Sequence, residues 1–307
     1  MDRFPQPEGN PSGPFFEGRP LARPDEELVD QGAAFDIATL LTRRRVLGLF
    51  GAGVGALAVA ACGGSGSGRS EQALGVGRSE IPEETNGPFP ADGTEDLNIL
   101  QESGIVRRDL TTSLDGGETV PGVPLTFNFS VFDMSRDNAP YVGAAVYVWH
   151  CDAIGRYSMY SEGVQQQTWL RGMQFADESG RLSFETIVPG CYPGRWPHIH
   201  FEVYPDAAAA TNVDNAIATS QLAFPPEMLG DVYALTAYGD SARHLSDIGE
   251  QVTDDVIFAG GNWKSQVATM KGDVNSGFTG SLEVNIDPTT KPMMGGMFGG
   301  GDSGPTG

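Results

Sequence analysis

Basic residues are scarce in this chain: 19 Lys and Arg face 40 Asp and Glu among 307 residues, a formal charge of −21. A phosphate-binding surface needs clustered Lys and Arg, so this balance argues against a nucleic-acid partner. Thiols and imidazoles are equally few, three Cys and four His, which disfavours a zinc site built on several thiolates. The longest apolar run, residues 46–61, is 16 residues rich in Gly and Ala, short of the roughly 20 that a bilayer core demands. Helical periodicity is sparse, with one short candidate after Pro225-Pro226, around 227–235, and no repeating βαβ unit.

Glycine and proline, by contrast, are abundant, 42 and 21 residues, and gather in segments that cannot pack a core. Residues 1–41 show no legible fold. They precede Thr42-Arg43-Arg44-Arg45-Val46-Leu47, an apolar run, and Val59-Ala60-Ala61-Cys62-Gly63. An arginine pair, an apolar core and small residues ending on Cys resemble a twin-arginine export signal with a lipobox. The expected division is therefore a signal region at 1–61, a Gly/Ser-rich linker at 62–80, a catalytic domain at 81–287 and a Gly/Met-rich tail at 288–307. Cys62 would then anchor an exported, extracytoplasmic protein by a lipid. Cys151 and Cys191 remain, and one disulfide between them is the economical expectation in an oxidising compartment, with two separate buried thiols as the alternative.

Within 81–287 the dominant period is two. Leu125, Phe127, Phe129 and Val131 alternate with Thr126, Asn128 and Ser130, and Leu282, Val284 and Ile286 with Glu283 and Asn285. Short strands of this kind, punctuated by Gly and Pro, predict an all-β antiparallel sandwich with few short helices. In the strand-like run 198–204, Ile199, Phe201 and Val203 share one face and His198, His200, Glu202 and Tyr204 the other. The two imidazoles then project the same way, roughly 6–7 Å apart at a rise of about 3.3 Å per residue, within reach of one ion. A solvent-facing polar stripe would show the same alternation. Tyr157 and Tyr192 stand at turn positions nearby; a phenolate is a hard anionic donor, and with imidazole it favours an ion such as Fe(III). Ordinary aromatic packing at strand ends is the competing reading for both.

The stretch 140–158, with Tyr147-Val148-Trp149-His150-Cys151-Asp152 and Gly155-Arg156-Tyr157-Ser158, followed by Arg195-Trp196-Pro197-His198-Ile199-His200-Phe201, resembles the signature of the intradiol ring-cleavage dioxygenases. Glu84-Thr85-Asn86-Gly87-Pro88-Phe89-Pro90 upstream and Thr219-Ser220-Gln221-Leu222-Ala223-Phe224 downstream are similar in kind, so the resemblance covers about 81–240. It implies a non-haem Fe(III) held by Tyr157, Tyr192, His198 and His200, with Tyr192 the ligand that leaves when substrate chelates. It further implies that Arg195 and Gln221 stabilise negative charge developing on the substrate ring. The expected reaction is cleavage of a catechol-type diol by O2 to a cis,cis-muconate-type diacid. Two departures stand out: five residues separate Tyr192 from His198, where the cytoplasmic members insert a longer loop, and the cysteine pair is not typical of those members. Both point to the secreted, single-domain branch.

Two alternatives use the same residues. One is a non-catalytic β-sandwich binding module; the other is a zinc hydrolase built on His198, His200 and Glu202. His150 is a candidate supporting residue and Trp196 a candidate pocket wall. Leu170-Arg171-Gly172 suggests no chemistry.

Overall fold

The computed structural model describes residues 79–94, 97–260 and 262–290, together with the backbone of three short strands near the N-terminus. The signal-like segment, most of the linker and the Met-rich tail lie outside the described residues. In the leader, where sequence alone indicates no fold, β1 (Glu8–Asn10), β2 (Gly13–Phe16) and β3 (Arg19–Pro20) pair antiparallel. The β1–β2 register runs from Glu8↔Phe15 to Asn10↔Gly13.

The main body contains β4 (Pro124–Asp133), β5 (Ala139–Pro140), β6 (Ala145–Trp149), β7 (Arg171–Phe175), β8 (Arg181–Ile187), β9 (His198–Tyr204), β10 (Ala218–Ala223), β11 (Thr269–Asp273) and β12 (Gly277–Ile286). One sheet runs β10-β9-β6-β7; the other runs β11-β12-β4-β5, with β8 also paired to β4. On β4, Leu125, Phe127, Phe129 and Val131 are buried, as the alternation predicts. Phe129 meets Phe201 of β9 across the sheet interface at 5.4 Å between ring centroids. The expected sandwich is present, with one difference: β12 pairs β4 in parallel, from Phe278↔Leu125 to Ile286↔Asp133. A parallel pair needs a long crossover, and residues 134–276 supply it by building the second sheet in between.

Helix α1 (Pro226–Tyr233) forms where expected, with Pro226 at its first turn and Met228, Leu229, Val232 and Tyr233 buried. Helix α2 (Ser241–Ile248) is not anticipated. Ser241 is its one fully buried residue, and its apolar side is only the half-buried pair Leu245 and Ile248, too short a pattern to announce a helix.

Candidate metal centre

Strand β9 lies between β6 and β10. Its register sets His200 opposite Trp149 on one side and Gln221 on the other. Ile199, Phe201 and Val203 enter the inter-sheet core with Val146 and Val148, while Tyr204 packs with Tyr147, Trp149, Phe89 and Ile99 on the reverse face. Every residue of β9 is thus buried. The histidine face is roofed by the chain that precedes β4, which removes the reading of a solvent-facing polar stripe.

Under that roof the four predicted rings meet. Ring centroids are 6.0 Å apart for Tyr157 and Tyr192, 6.4 Å for Tyr157 and His200, 5.7 Å for Tyr192 and His198, and 4.7 Å for His198 and His200. The donor atoms converge more closely: Tyr192 Oη lies 3.2 Å from His198 Nε2, which lies 3.1 Å from His200 Nε2. Trp149 stacks on His200 at 4.9 Å and 7°, fixing the imidazole plane. Burial, reinforced by the Arg195 charge, pushes both histidines well below the usual imidazole range, so both are neutral at pH 7. His198 Nδ1 is committed to the Trp196 carbonyl, so its Nε2 carries the lone pair.

This arrangement fits a bound cation. Two neutral imidazole nitrogens at 3.1 Å cannot both present lone pairs to each other comfortably, whereas ligand atoms about 2 Å from a shared ion sit about 3 Å apart. Among the described residues no group of three or more His, Cys, Asp and Glu could hold a metal, so phenol oxygens are needed to complete the donor set. Glu202, the carboxylate of the zinc-hydrolase alternative, accepts instead from Tyr204 Oη at 2.6 Å. Burial and the neighbouring Asp92 raise its pKa well above the carboxylate range, keeping it protonated.

Arg195 and Gln221 also reach the site. Arg195 is 1 % exposed; its Nε donates to Asp255 Oδ2 at 3.0 Å and its Nη2 to Gln221 Oε1. Gln221 Nε2 in turn donates to the Thr85 carbonyl at 2.8 Å. Asp255 also accepts from the Trp196 amide at 2.7 Å, and sequence reasoning missed it: sixty positions from Arg195, it belongs to no motif. The segment after Thr85 closes over the site. At Gly87, φ is +70° and a Cβ would stand 3.1 Å from His200 Cε1, so only glycine lets the backbone pass this close.

Three expectations need correction. Cys151 and Cys191 are separate buried thiols rather than a disulfide. Their sulfurs face different carbonyls, Gly190 O at 3.6 Å and Arg195 O at 3.5 Å, and burial pushes both thiols up. The two tyrosine-bearing segments are joined by backbone instead, Gly190 N donating to Asp152 O at 3.0 Å. Trp196 is no pocket wall; it is 1 % exposed in the inter-sheet core, its indole donating to Phe224 O at 2.8 Å. His150 is not aimed at the four rings, since its Nδ1 pairs with Cys151 O at 2.8 Å and its Nε2 with Thr186 Oγ1 at 2.7 Å.

His150 instead makes stability depend on acid. Burial lowers its pKa from 6.5 to about 4. The unfolded chain therefore takes up this proton first as pH falls, and the contribution present above pH 6.5 is lost progressively toward pH 4, about 3 kcal/mol in all. Urea midpoints at pH 7 and pH 5 should show a loss that His150→Asn reduces; an equal loss in the variant would remove His150 as the cause.

A family model described as Dioxygenase matches residues 99–210, the stretch that carries all four rings. In this stretch and in its fold the chain resembles the intradiol ring-cleavage dioxygenases. An intradiol ring-cleavage dioxygenase from Tetranychus urticae superposes with a TM-score of 0.55 at 24% identity, covering 70% of this chain and 97% of that one. A second dioxygenase crystal structure gives 0.54 at 26%, covering 69% and 96%. The chlorocatechol 1,2-dioxygenase of Rhodococcus opacus is 38% identical over 72 residues, 24% of this chain. The chain spans only 27–30% of the length of the curated relatives it matches, so the kinship rests on the segment around the rings and on the fold.

Proposed function

We propose that this protein is an intradiol ring-cleaving dioxygenase that opens catechol-type diols with O2 to cis,cis-muconate-type diacids, using a non-haem Fe(III) held by Tyr157, Tyr192, His198 and His200. The observation that carries this reading is the convergence of two phenol and two imidazole rings in one buried pocket, with the Arg195 guanidinium beside them. Ferric iron so placed would supply the Lewis acidity that lets a chelated diol react with O2. The relatives' names, chlorocatechol and 6-chlorohydroxyquinol 1,2-dioxygenase, support the diol class.

The chain's own groups perform the remaining tasks. Neutral His198 and His200 offer lone pairs without competing for the diol's protons. Tyr192 is the outermost of the four rings, 8 % exposed against 1 % for Tyr157, which suits it to yield its place and accept a diol proton on Oη. Arg195, held through Nε by Asp255 and through Nη2 by Gln221, places a desolvated positive charge where the substrate ring becomes electron-rich. Export by the twin-arginine route and anchoring at Cys62 complete the proposal; that route carries folded proteins, so metal could be loaded beforehand.

Colour tests the centre and oxygen uptake tests the reaction. Iron-loaded protein should be red-brown from phenolate-to-iron charge transfer and consume O2 with at least one of catechol, protocatechuate or hydroxyquinol. Tyr157→Phe should lose most of both. Colourless protein that is active with bound zinc would overturn the reading.

A further inference from the structure

Arg171 opens β7 and is completely buried, yet its described partners are all neutral. Its Nε donates to Ser158 Oγ at 3.0 Å and its Nη2 to the Ser158 carbonyl at 2.9 Å. Its Nη1 donates to the carbonyls of Phe89 and Pro90 at 2.8 and 3.1 Å. The guanidinium carbon also lies 5.3 Å from the Tyr160 ring centroid. A buried cation is costly unless its donors are matched by well-placed acceptors, and here the planar fork spends them on two chain segments far apart in sequence.

Those segments are the ones the candidate centre depends on. Ser158 directly follows Tyr157. Phe89 packs on the Tyr157 ring at 4.8 Å and on Tyr160 at 5.2 Å. Two residues earlier, Gly87 passes over His200. The Tyr157-bearing loop has less support on its far side, where Met159, Gln165, Gln166 and Thr168 line a cavity of about 690 Å³. A hydrogen bond also runs between the loop and the roof, the Ala91 amide donating to Tyr160 Oη at 2.9 Å.

We propose that Arg171 is a positioning residue, a buried clamp that locks the Tyr157 loop to the Gly87–Pro90 roof over His200 and so sets where the Tyr157 phenol points. The link to iron rests on the function proposed above; the clamp itself does not. Lysine keeps the charge but is a point donor that cannot bridge both segments, so Arg171→Lys is the informative variant, with Ser158→Ala, which removes one acceptor, as the milder second.

Hydrogen exchange on the full-length protein reads the clamp without metal. In either variant, exchange should rise by about tenfold or more at the Ala91 amide and through residues 157–161, while β4 and β12 stay protected. On iron-loaded protein the phenolate charge-transfer band should shift and iron should dissociate faster, with more effect for Arg171→Lys than for Ser158→Ala. Uniform loss of protection, or an unmoved band in variants that retain iron, would reduce Arg171 to ordinary core support and overturn the proposal. Should the parent protein show no iron colour, the functional reading fails, and the exchange pattern still decides the clamp.

Discussion

Asp255→Ala should cost about 3–5 kcal/mol of stability, because it strips the counter-charge from an arginine that cannot reach water. Arg195 and Asp255 are 1 % and 0 % exposed at their side chains, 3.0 Å apart. Asp255 also accepts from the backbone amides of Trp196 and Ile257, at 2.7 and 2.8 Å. Removing it takes this carboxylate from the buried Arg195 Nε and leaves the Trp196 and Ile257 amides without their acceptor. Asp255→Asn retains an acceptor oxygen and should lose less stability, but without the negative charge the guanidinium is no longer held toward Gln221. Oxygen uptake in Asp255→Asn should therefore fall more than its urea midpoint implies. A hundredfold loss is the scale of removing one oriented charge-stabilising donor. If Asp255→Ala unfolds at the parent's urea concentration, the ion pair is not the strut described here.

Phe201→Ala is the second large effect. Its side chain is fully buried, 5.4 Å from Phe129 in the opposite sheet, and directly faces Val148 and Ser220 in the register of β9. Deleting a phenyl ring from such a position costs about 3–5 kcal/mol through lost burial and the cavity left behind. Phe201 sits between His200 and Glu202 on the opposite face of one strand, so relaxation of β9 into the cavity would also disturb the imidazoles. Phe201→Leu, which keeps most of the volume, should lose far less in a thermal or denaturant melt. Equal losses for Ala and Leu would mean that cavity formation is not what the position resists.

How much of this could be read from residues alone differs from feature to feature. The period of two in 125–131 and 282–286 announced β4 and β12, because side-chain alternation is a local property of an extended chain. It could not announce that these strands lie parallel, since pairing partners are chosen by the crossover between them. Helix α1 had a proline start and four buried residues, whereas α2 has no such start and only the short apolar pair Leu245 and Ile248. His198 and His200 were legible by spacing, and Tyr157 and Tyr192 were candidates at turn positions that the family resemblance singled out. Asp255 and the clamp role of Arg171 left no mark in the sequence, because their partners lie 60 and 82 positions away.

The disulfide shows the same boundary from the other side. Two cysteines in a chain with an export-like leader invite pairing, and composition can go no further, because a bridge requires facing sulfurs. Here they turn to separate carbonyls, and Gly190, with no room for a Cβ 2.5 Å from Ala153 O, joins the same segments through backbone.

Residue order by itself therefore determined the strand content, the acidic character and the shared direction of the two imidazoles, all of which follow from local geometry and charge. Which phenol meets which imidazole, what roofs them and which carboxylate neutralises the buried arginine were decided only by tertiary packing. Burial brings those groups together from distant parts of the chain, and distance along the chain says nothing about contact once it is folded.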